Sequence, residues 1–157
     1  MSTRWMRDYL RYDSLPWDDI AENDQLPEVA RKVDATLVVV GAIASRDLYP
    51  VHHDAAFAKR SGAPDVFLNI LTTNGLMTTY ITNWCGHGWD LESISLRLIV
   101  PAFPGTTLTT TGSVVRKWAD ETGRHIEVAF GAENSHGPHC SGTAVIREAA
   151  STERSAA

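Results

Sequence analysis

The sequence predicts an α+β domain in which an antiparallel sheet accompanies one long helix. Three observations lead there. Between Val66 and Trp84 the apolar side chains Phe67, Ile70, Met77, Ile81 and Trp84 recur near helical spacing, with Leu71 and Tyr80 beside them. That gives one broad apolar face. After Cys85-Gly86-His87-Gly88 the period changes to two, and three or four strand-like segments follow. Ahead of the helix stands a β-branched run, Thr36-Leu37-Val38-Val39-Val40. A curved sheet wrapped around a helix fits this order, as does any compact α+β domain.

Taken in order, residues 1–34 are dense in charge and read as an N-terminal extension. Trp5, Met6, Tyr9 and Leu10 suit one side of a short helix, which Leu15-Pro16-Trp17 breaks. Such an extension would wrap over the domain or a partner; disorder is the rival reading. The run Thr36–Val40 continues through Gly41-Ala42-Ile43-Ala44 and is expected to be a strand ending near Ser45. A turn containing Pro50 follows. Asp54 is placed to cap a short helix, Ala55–Arg60, and Ser61-Gly62-Ala63-Pro64 stops it. Within the long helix Gly75 costs about 1 kcal/mol of intrinsic preference, and five threonines between Thr72 and Thr82 also suit a strand.

Ile94, Leu96, Leu98 and Val100 then point one way and Ser93, Ser95 and Arg97 the other. Pro101–Gly105 is a turn, Thr106–Trp118 a second strand, and Asp120–Gly123 a hairpin connection. Ile126, Val128 and Phe130 alternate in a third strand, and Asn134–Pro138 is a short loop. Thr143–Arg147, with a start as early as Cys140, closes the domain. The expected domain therefore spans residues 35–148, and 149–157 is a small, polar tail expected to fray.

The 157 residues suit one domain, and 43% of them are hydrophobic, enough for a real core. A net charge of −5 argues against a general nucleic-acid binder, although a local basic patch can still hold a phosphate. The two cysteines, Cys85 and Cys140, make no disulfide framework and suit reduced thiols in the cytoplasm. The first 20 residues lack an apolar secretory core, and no apolar run approaches membrane-spanning length. The expectation is a soluble, cytoplasmic protein. Five tryptophans suggest an interface.

The chemistry centres on Arg46-Asp47-Leu48-Tyr49-Pro50-Val51-His52-His53-Asp54. Pro50 disfavours a regular helix, so the stretch is expected to turn and bring Asp47 and His52 toward one pocket. A carboxylate and an imidazole there hold and polarise one water or hydroxyl. The plainer alternative is a polar turn with an N-cap. His53 is expected to face away. Adjacent His52, His53 and Asp54 seldom converge on one ion, so no metal is expected. His136, His139 and Cys140 fit a surface loop and strand start, and Cys85 with His87 a helix end. Asn69 either binds substrate or caps the central helix.

These residues resemble the hydratase signature of the MaoC-like hotdog family, where an Asp and, five residues on, a His end the first strand. Asp47, Pro50, His52 and Asp54 match that signature. The resemblance sharpens toward one branch, the small subunits of actinobacterial steroid side-chain enoyl-CoA hydratases. Val66-Phe67-Leu68-Asn69-Ile70-Leu71-Thr72 and Tyr80-Ile81-Thr82-Asn83-Trp84 also carry it, and it covers roughly residues 35–148. Tyr49 stands where the family usually has Asn, and Asn69-Ile70 where it has His-Gly.

The resemblance implies a single hotdog, a sheet wrapped around the central helix, and an enoyl-CoA hydratase adding water to a 2-enoyl-CoA with a bulky, steroid-derived acyl group. Asp47 and His52 would be catalytic. Asn69, Ile70 and Tyr49 would contact substrate, with a backbone N–H near Ile70 facing the thioester oxygen. No cofactor is implied, because coenzyme A is part of the substrate. Lys59, Arg60, Arg97, Arg116 and Lys117 are candidates for its phosphates. The implied partner is a second MaoC-like hotdog chain in a heterodimer or heterotetramer, with a homodimer as the alternative. The competing readings are a hydratase or dehydratase for another acyl thioester, a non-catalytic scaffold subunit, and a thioesterase.

Overall fold

A computed structural model of the chain describes residues 14–149. Its frame is a five-stranded, wholly antiparallel sheet in the order β1-β3-β4-β5-β2. The strands are β1 (Gln25–Lys32), β2 (Trp89–Leu98), β3 (Thr107–Asp120), β4 (Gly123–Asn134) and β5 (Gly137–Glu148). Three helices join them: α1 (Ala35–Ala44), α2 (Ala55–Arg60) and α3 (Ile70–Cys85). The helix α3 touches both edge strands, β1 and β2, so the sheet curls around it as the hotdog arrangement requires.

The alternation expected of the strands sets the core. Leu108 and Val114 on β3, Ile126, Val128 and Phe130 on β4, and Ala144 and Ile146 on β5 are buried together with Met77, Tyr80 and Ile81 of α3. Ile81 has no exposed surface, and its truncation to Ala should cost about 2–5 kcal/mol. The hairpins fall where turn residues predict them. Asp120 pairs with Gly123 at one, and Asn134 pairs with Gly137 at the other. Gly123 and Gly137 both take positive φ, which glycine adopts without steric cost.

Three expectations need correction. The run Thr36–Ala44 is helix α1, not a strand. Asp34 caps it, its Oδ1 accepting from Leu37 N at 2.7 Å. The Asp47 turn therefore follows a helix rather than ending a strand. Second, the sheet does not begin after residue 34. Gln25–Lys32, inside the expected extension, is an edge strand paired with β3. The remainder of that expectation, a helix through Trp5, Met6, Tyr9 and Leu10, lies outside the described residues, as do residues 150–157 of the expected tail. Third, the last strand begins at Gly137, earlier than Cys140 or Thr143, so the expected Asn134–Pro138 loop is a tighter hairpin turn. The long helix begins at Ile70, with Asn69 at the cap position.

The close approach of α1 to α3 brings the Asp47 turn up against the start of the central helix. Gly41 sits so near Thr72 that a Cβ at 41 would overlap the threonine side chain. Only glycine lets the two backbones come this close. Among the described residues no helix is long and apolar enough to cross a membrane.

Candidate active site

Three local decisions bring the site together. The α1 helix stops at Ser45, Arg46 takes a left-handed φ of 56°, and the chain reverses, with Asp47 N donating to Ala42 O at 2.9 Å. Pro50 then opens a 3-10 turn, Pro50–His52, which points His52 inward. Asn69, 22 residues after Asp47, caps α3 by accepting from Thr72 N at 2.9 Å. Its amide Nδ2 donates to Asp47 Oδ2 at 3.0 Å and to Ser45 Oγ at 2.8 Å. One residue thus both starts the central helix and holds the carboxylate. The two readings left open for Asn69 divide accordingly: it is a cap, and it also reaches into the site.

Asp47 Oδ2 lies 3.4 Å from His52 Nε2. The histidine is buried and packs edge-on against Phe67, with its Nδ1 2.7 Å from Phe67 O. A carbonyl oxygen only accepts, so Nδ1 carries the hydrogen and the neutral ring presents a lone pair at Nε2. That lone pair faces a carboxylate oxygen, and two acceptors do not bond each other. A water donating one hydrogen to Nε2 and the other to Oδ2 resolves the mismatch. The arrangement suits a molecule with two hydrogens to give.

At the helix start, the N–H groups of Ile70 and Leu71 have no protein acceptor among the described residues. Such unpaired N-terminal donors suit an oxygen that gains negative charge. A depression of about 440 Å³, lined by Tyr49, Val51, Phe67 and Phe103 among others, lies beside the Pro50–His52 turn; neither Asp47 nor His52 lines it. Tyr49 is exposed and packs edge-on against Phe57 of α2. Ile70 and Leu71, at the start of α3, are half exposed.

The remaining candidates separate. His53 is exposed, and Asp54 caps α2 by accepting from Phe57 N at 2.9 Å. Lys59 and Arg60 end α2, next to Ser61 and Gly62 on the depression's rim. Lys117 is committed elsewhere: its Nζ donates to Trp17 O and Ile20 O at 2.7 and 2.6 Å, which removes it as a phosphate contact. Arg116 lies over Trp118, and Arg97 is exposed on β2. His139 is not a loop residue. It is fully buried on β5, with Nδ1 2.7 Å from Val100 O and Nε2 2.9 Å from Thr73 Oγ1. Burial holds its pKa below the usual histidine value. The thiols of Cys85 and Cys140 are buried too, and burial pushes that of Cys85 up to about 12. Among the described residues no three His, Cys, Asp or Glu side chains gather around one point.

Sequence reasoning missed the bond between Asn69 and Asp47, and the anchoring of α3 by His139. The polar residue just before the helix was the available signal for the first. Nothing in the spacing signalled the second.

Comparison with known proteins gives a consistent result. The family described as MaoC like domain matches residues 19–135. The 3-oxo-4,17-pregnadiene-20-carboxyl-CoA hydratase beta subunit of Mycobacterium tuberculosis is 44% identical over 89 residues, 57% of this chain and 69% of that protein. A chain in the crystal structure of the ChsH1-ChsH2 complex from Mycobacterium tuberculosis superposes with a TM-score of 0.76 at 36% identity, covering 82% of this chain and 98% of that one. The unliganded R-hydratase PhaJ1 from Pseudomonas aeruginosa shares the fold, with a TM-score of 0.77 at 21% identity over 87% of this chain and 86% of its own.

Proposed function

The chain belongs to the MaoC-like domain family, and from that premise we propose that it is the acid–base subunit of an enoyl-CoA hydratase acting on a bulky, steroid-type acyl group. The observation that carries the reading is the Asp47 Oδ2 to His52 Nε2 separation of 3.4 Å, with the imidazole hydrogen committed to Phe67 O. The acyl class rests on the name of the Mycobacterium tuberculosis relative.

In this reading the oriented water attacks C3 of the 2-enoyl thioester. Its proton passes to His52 Nε2 as the C3–O bond forms. The C2=C3 electron pair moves toward the carbonyl, and the thioester oxygen gains negative charge. The backbone N–H groups of Ile70 and Leu71 receive that charge. The proton held by the His52 and Asp47 pair is then delivered to C2. One water has been added, and the enzyme returns to its starting state. Asp47 stabilises the imidazolium during the step, and Asn69 keeps Oδ2 in place.

The partner in this proposal is a second MaoC-like hotdog chain. The elements that meet at Asp47 carry Val40, Ile43, Leu48, Tyr49, Ile70 and Leu71 as exposed apolar side chains. Apolar side chains grouped on elements around a site suit a protein surface or a substrate laid between two chains. The similar chain seen in a two-protein complex points the same way.

The test is hydration of a steroid-sized enoyl-CoA, followed by loss of the conjugated thioester absorbance, as the partner chain is titrated in. The expected result is a rate that rises with partner and then saturates. Absence of hydration of any enoyl-CoA, with or without partner, rejects the reading.

A further inference from the structure

A second cavity, of about 140 Å³, lies between α3 and the edge strand β1. Its apolar wall comes from Val29, Leu76, Met77, Trp84 and Leu108. Tyr80 adds only its ring, because its hydroxyl is buried. At 1.5 Å per residue, Leu76 and Trp84 stand about 10 and 22 Å along the helix from Asn69. The cavity is therefore separate from Asp47 and His52.

Its polar groups carry charge of one sign. Arg31, Thr79, Asn83 and Thr110 also line it, and no Asp or Glu does. Strand register turns Arg31 inward. Across the β1–β3 ladder Val29 stands opposite Thr110 and Arg31 opposite Leu108, and all four line the cavity. Leu108 is 1% exposed, so the guanidinium stem lies beside a fully apolar neighbour. Glu28, the one acid of β1, lines a depression on the other face of the sheet with Thr109 and Thr111, although its charge still acts on the Tyr80 hydroxyl. The helix contributes no Asp, Glu, Lys or Arg between Ile70 and Cys85. Among the described residues the side chains of Arg31 and Asn83 make no ion pair or hydrogen bond; the arginines that do are Arg124 and Arg147.

We propose that this cavity binds a ring-sized apolar carboxylic acid as its anion, with the ring against Leu76, Met77 and Trp84 and the carboxylate on the Arg31 guanidinium. A void of this size takes one six-membered ring. A guanidinium offers a carboxylate two parallel N–H groups, and the Asn83 amide is a further donor in the same lining. The plainer reading of Arg31 is an inward charge that keeps an edge strand from pairing with another sheet, and it calls for no ligand. The proposal does not depend on the hydratase reading.

The probe is cyclohexanecarboxylate at about pH 7, where it is ionised, added to the full chain labelled with ¹³C at the methionine methyls. Met77 is one of three methionines, lines the cavity and is 1% exposed, so its methyl reports occupancy. The expected result is a saturable shift of that methyl at millimolar probe. Cyclohexanecarboxamide keeps the ring and shape without the charge, and should bind about fivefold more weakly. Arg31→Gln should weaken the carboxylate by a similar factor and leave the carboxamide unchanged. A loss confined to the charged probe separates ion pairing from a general loosening of β1. An unmoved Met77 methyl at about 20 mM carboxylate, equal affinity for the two probes, or undiminished carboxylate affinity in Arg31→Gln overturns the proposal.

Discussion

Asn69 Nδ2 donates to the same carboxylate oxygen of Asp47 that faces His52 Nε2. The residue that starts the central helix therefore also sets the carboxylate against the imidazole. The two roles can be separated. Asn69→Ser keeps a side-chain oxygen for Thr72 N but cannot reach Asp47 with an amide. It should leave stability within about 0.5 kcal/mol of the parent, while Asn69→Ala loses about 1 kcal/mol with the cap. Both should lower kcat about tenfold, the value of one positioning hydrogen bond. Denaturant melts and hydration rates on the same samples check this. Full activity in Asn69→Ser would show that Asp47 needs no such support.

The proposed catalytic pair gives a sharper contrast. Asp47→Asn and His52→Ala should each cut hydration at least about 100-fold, the lower range for losing acid–base help. His53 is exposed and touches neither group, so His53→Ala should change the rate less than about twofold. Steady-state rates with matched circular dichroism spectra decide it. Comparable losses at positions 52 and 53 would mean that the wrong neighbour has been assigned.

The Asp47 and His52 pairing was legible because Pro50 leaves the chain few ways to pass between them, and because the motif is short. The strands from β2 onward were legible because one face is buried and one is wet, which writes a period of two into the sequence. The α1 helix was not, for a physical reason. Val38 and Ala42 are buried, yet Val40 and Ile43 on the same helix are exposed and apolar. A helix that is greasy on both sides shows no helical period, and its β-branched residues then imitate a strand. Asp34 followed by Leu37 was the cap signal that would have corrected it. The β1 strand hid differently. Of its eight residues only Leu26 is buried, and Pro27 with a bulge interrupts the pattern. Edge strands carry that disguise routinely. The link from Asn69 to Asp47 joins residues 22 apart, and local reading has no access to it.

Association follows from the exposed apolar side chains around the site. Ile43 on α1 and Leu71 on α3 are 59% and 51% exposed, too apolar for a face meant to stay in water. Ile43→Lys together with Leu71→Lys should leave the monomer folded and shift the complex, or the chain's self-association, toward monomer. Burying two unpaired lysines in an interface should weaken it by at least about 100-fold in Kd. Sedimentation velocity at micromolar concentration reads the outcome. An unchanged mass distribution would place the interface elsewhere.

The thiols should be silent. Cys85 is 0% and Cys140 2% exposed, and burial raises both pKa values, that of Cys85 to about 12. A thiol reacts as its thiolate, so iodoacetamide at about pH 8 should leave both unmodified in the native protein. In denaturant both should label, and intact mass spectrometry counts the adducts. Rapid native labelling of Cys85 would mean that the end of α3 opens readily.

The buried histidine makes stability depend on pH. His139 donates from Nδ1 to Val100 O at 2.7 Å, so its Nε2 accepts from Thr73 Oγ1 at 2.9 Å. This pins β5 to the first turn of α3, close to Asn69. Burial holds the folded pKa below the unfolded value of about 6.5. Between those two values the unfolded chain binds the proton and the folded chain does not. Stability is therefore fully present above about pH 6.5 and is lost as pH falls toward the lower folded value, with a slope approaching about 1.4 kcal/mol per pH unit for one such group. His139→Gln keeps an acceptor near Thr73 but has nothing to titrate. It should start less stable at pH 7, yet lose less on going to about pH 5 than the parent does. Urea midpoints across that range, at constant ionic strength, make the comparison. Parallel curves for parent and variant would show that His139 is not the group responsible. Converging curves would tie acid sensitivity to the same helix start that holds Asp47 in place.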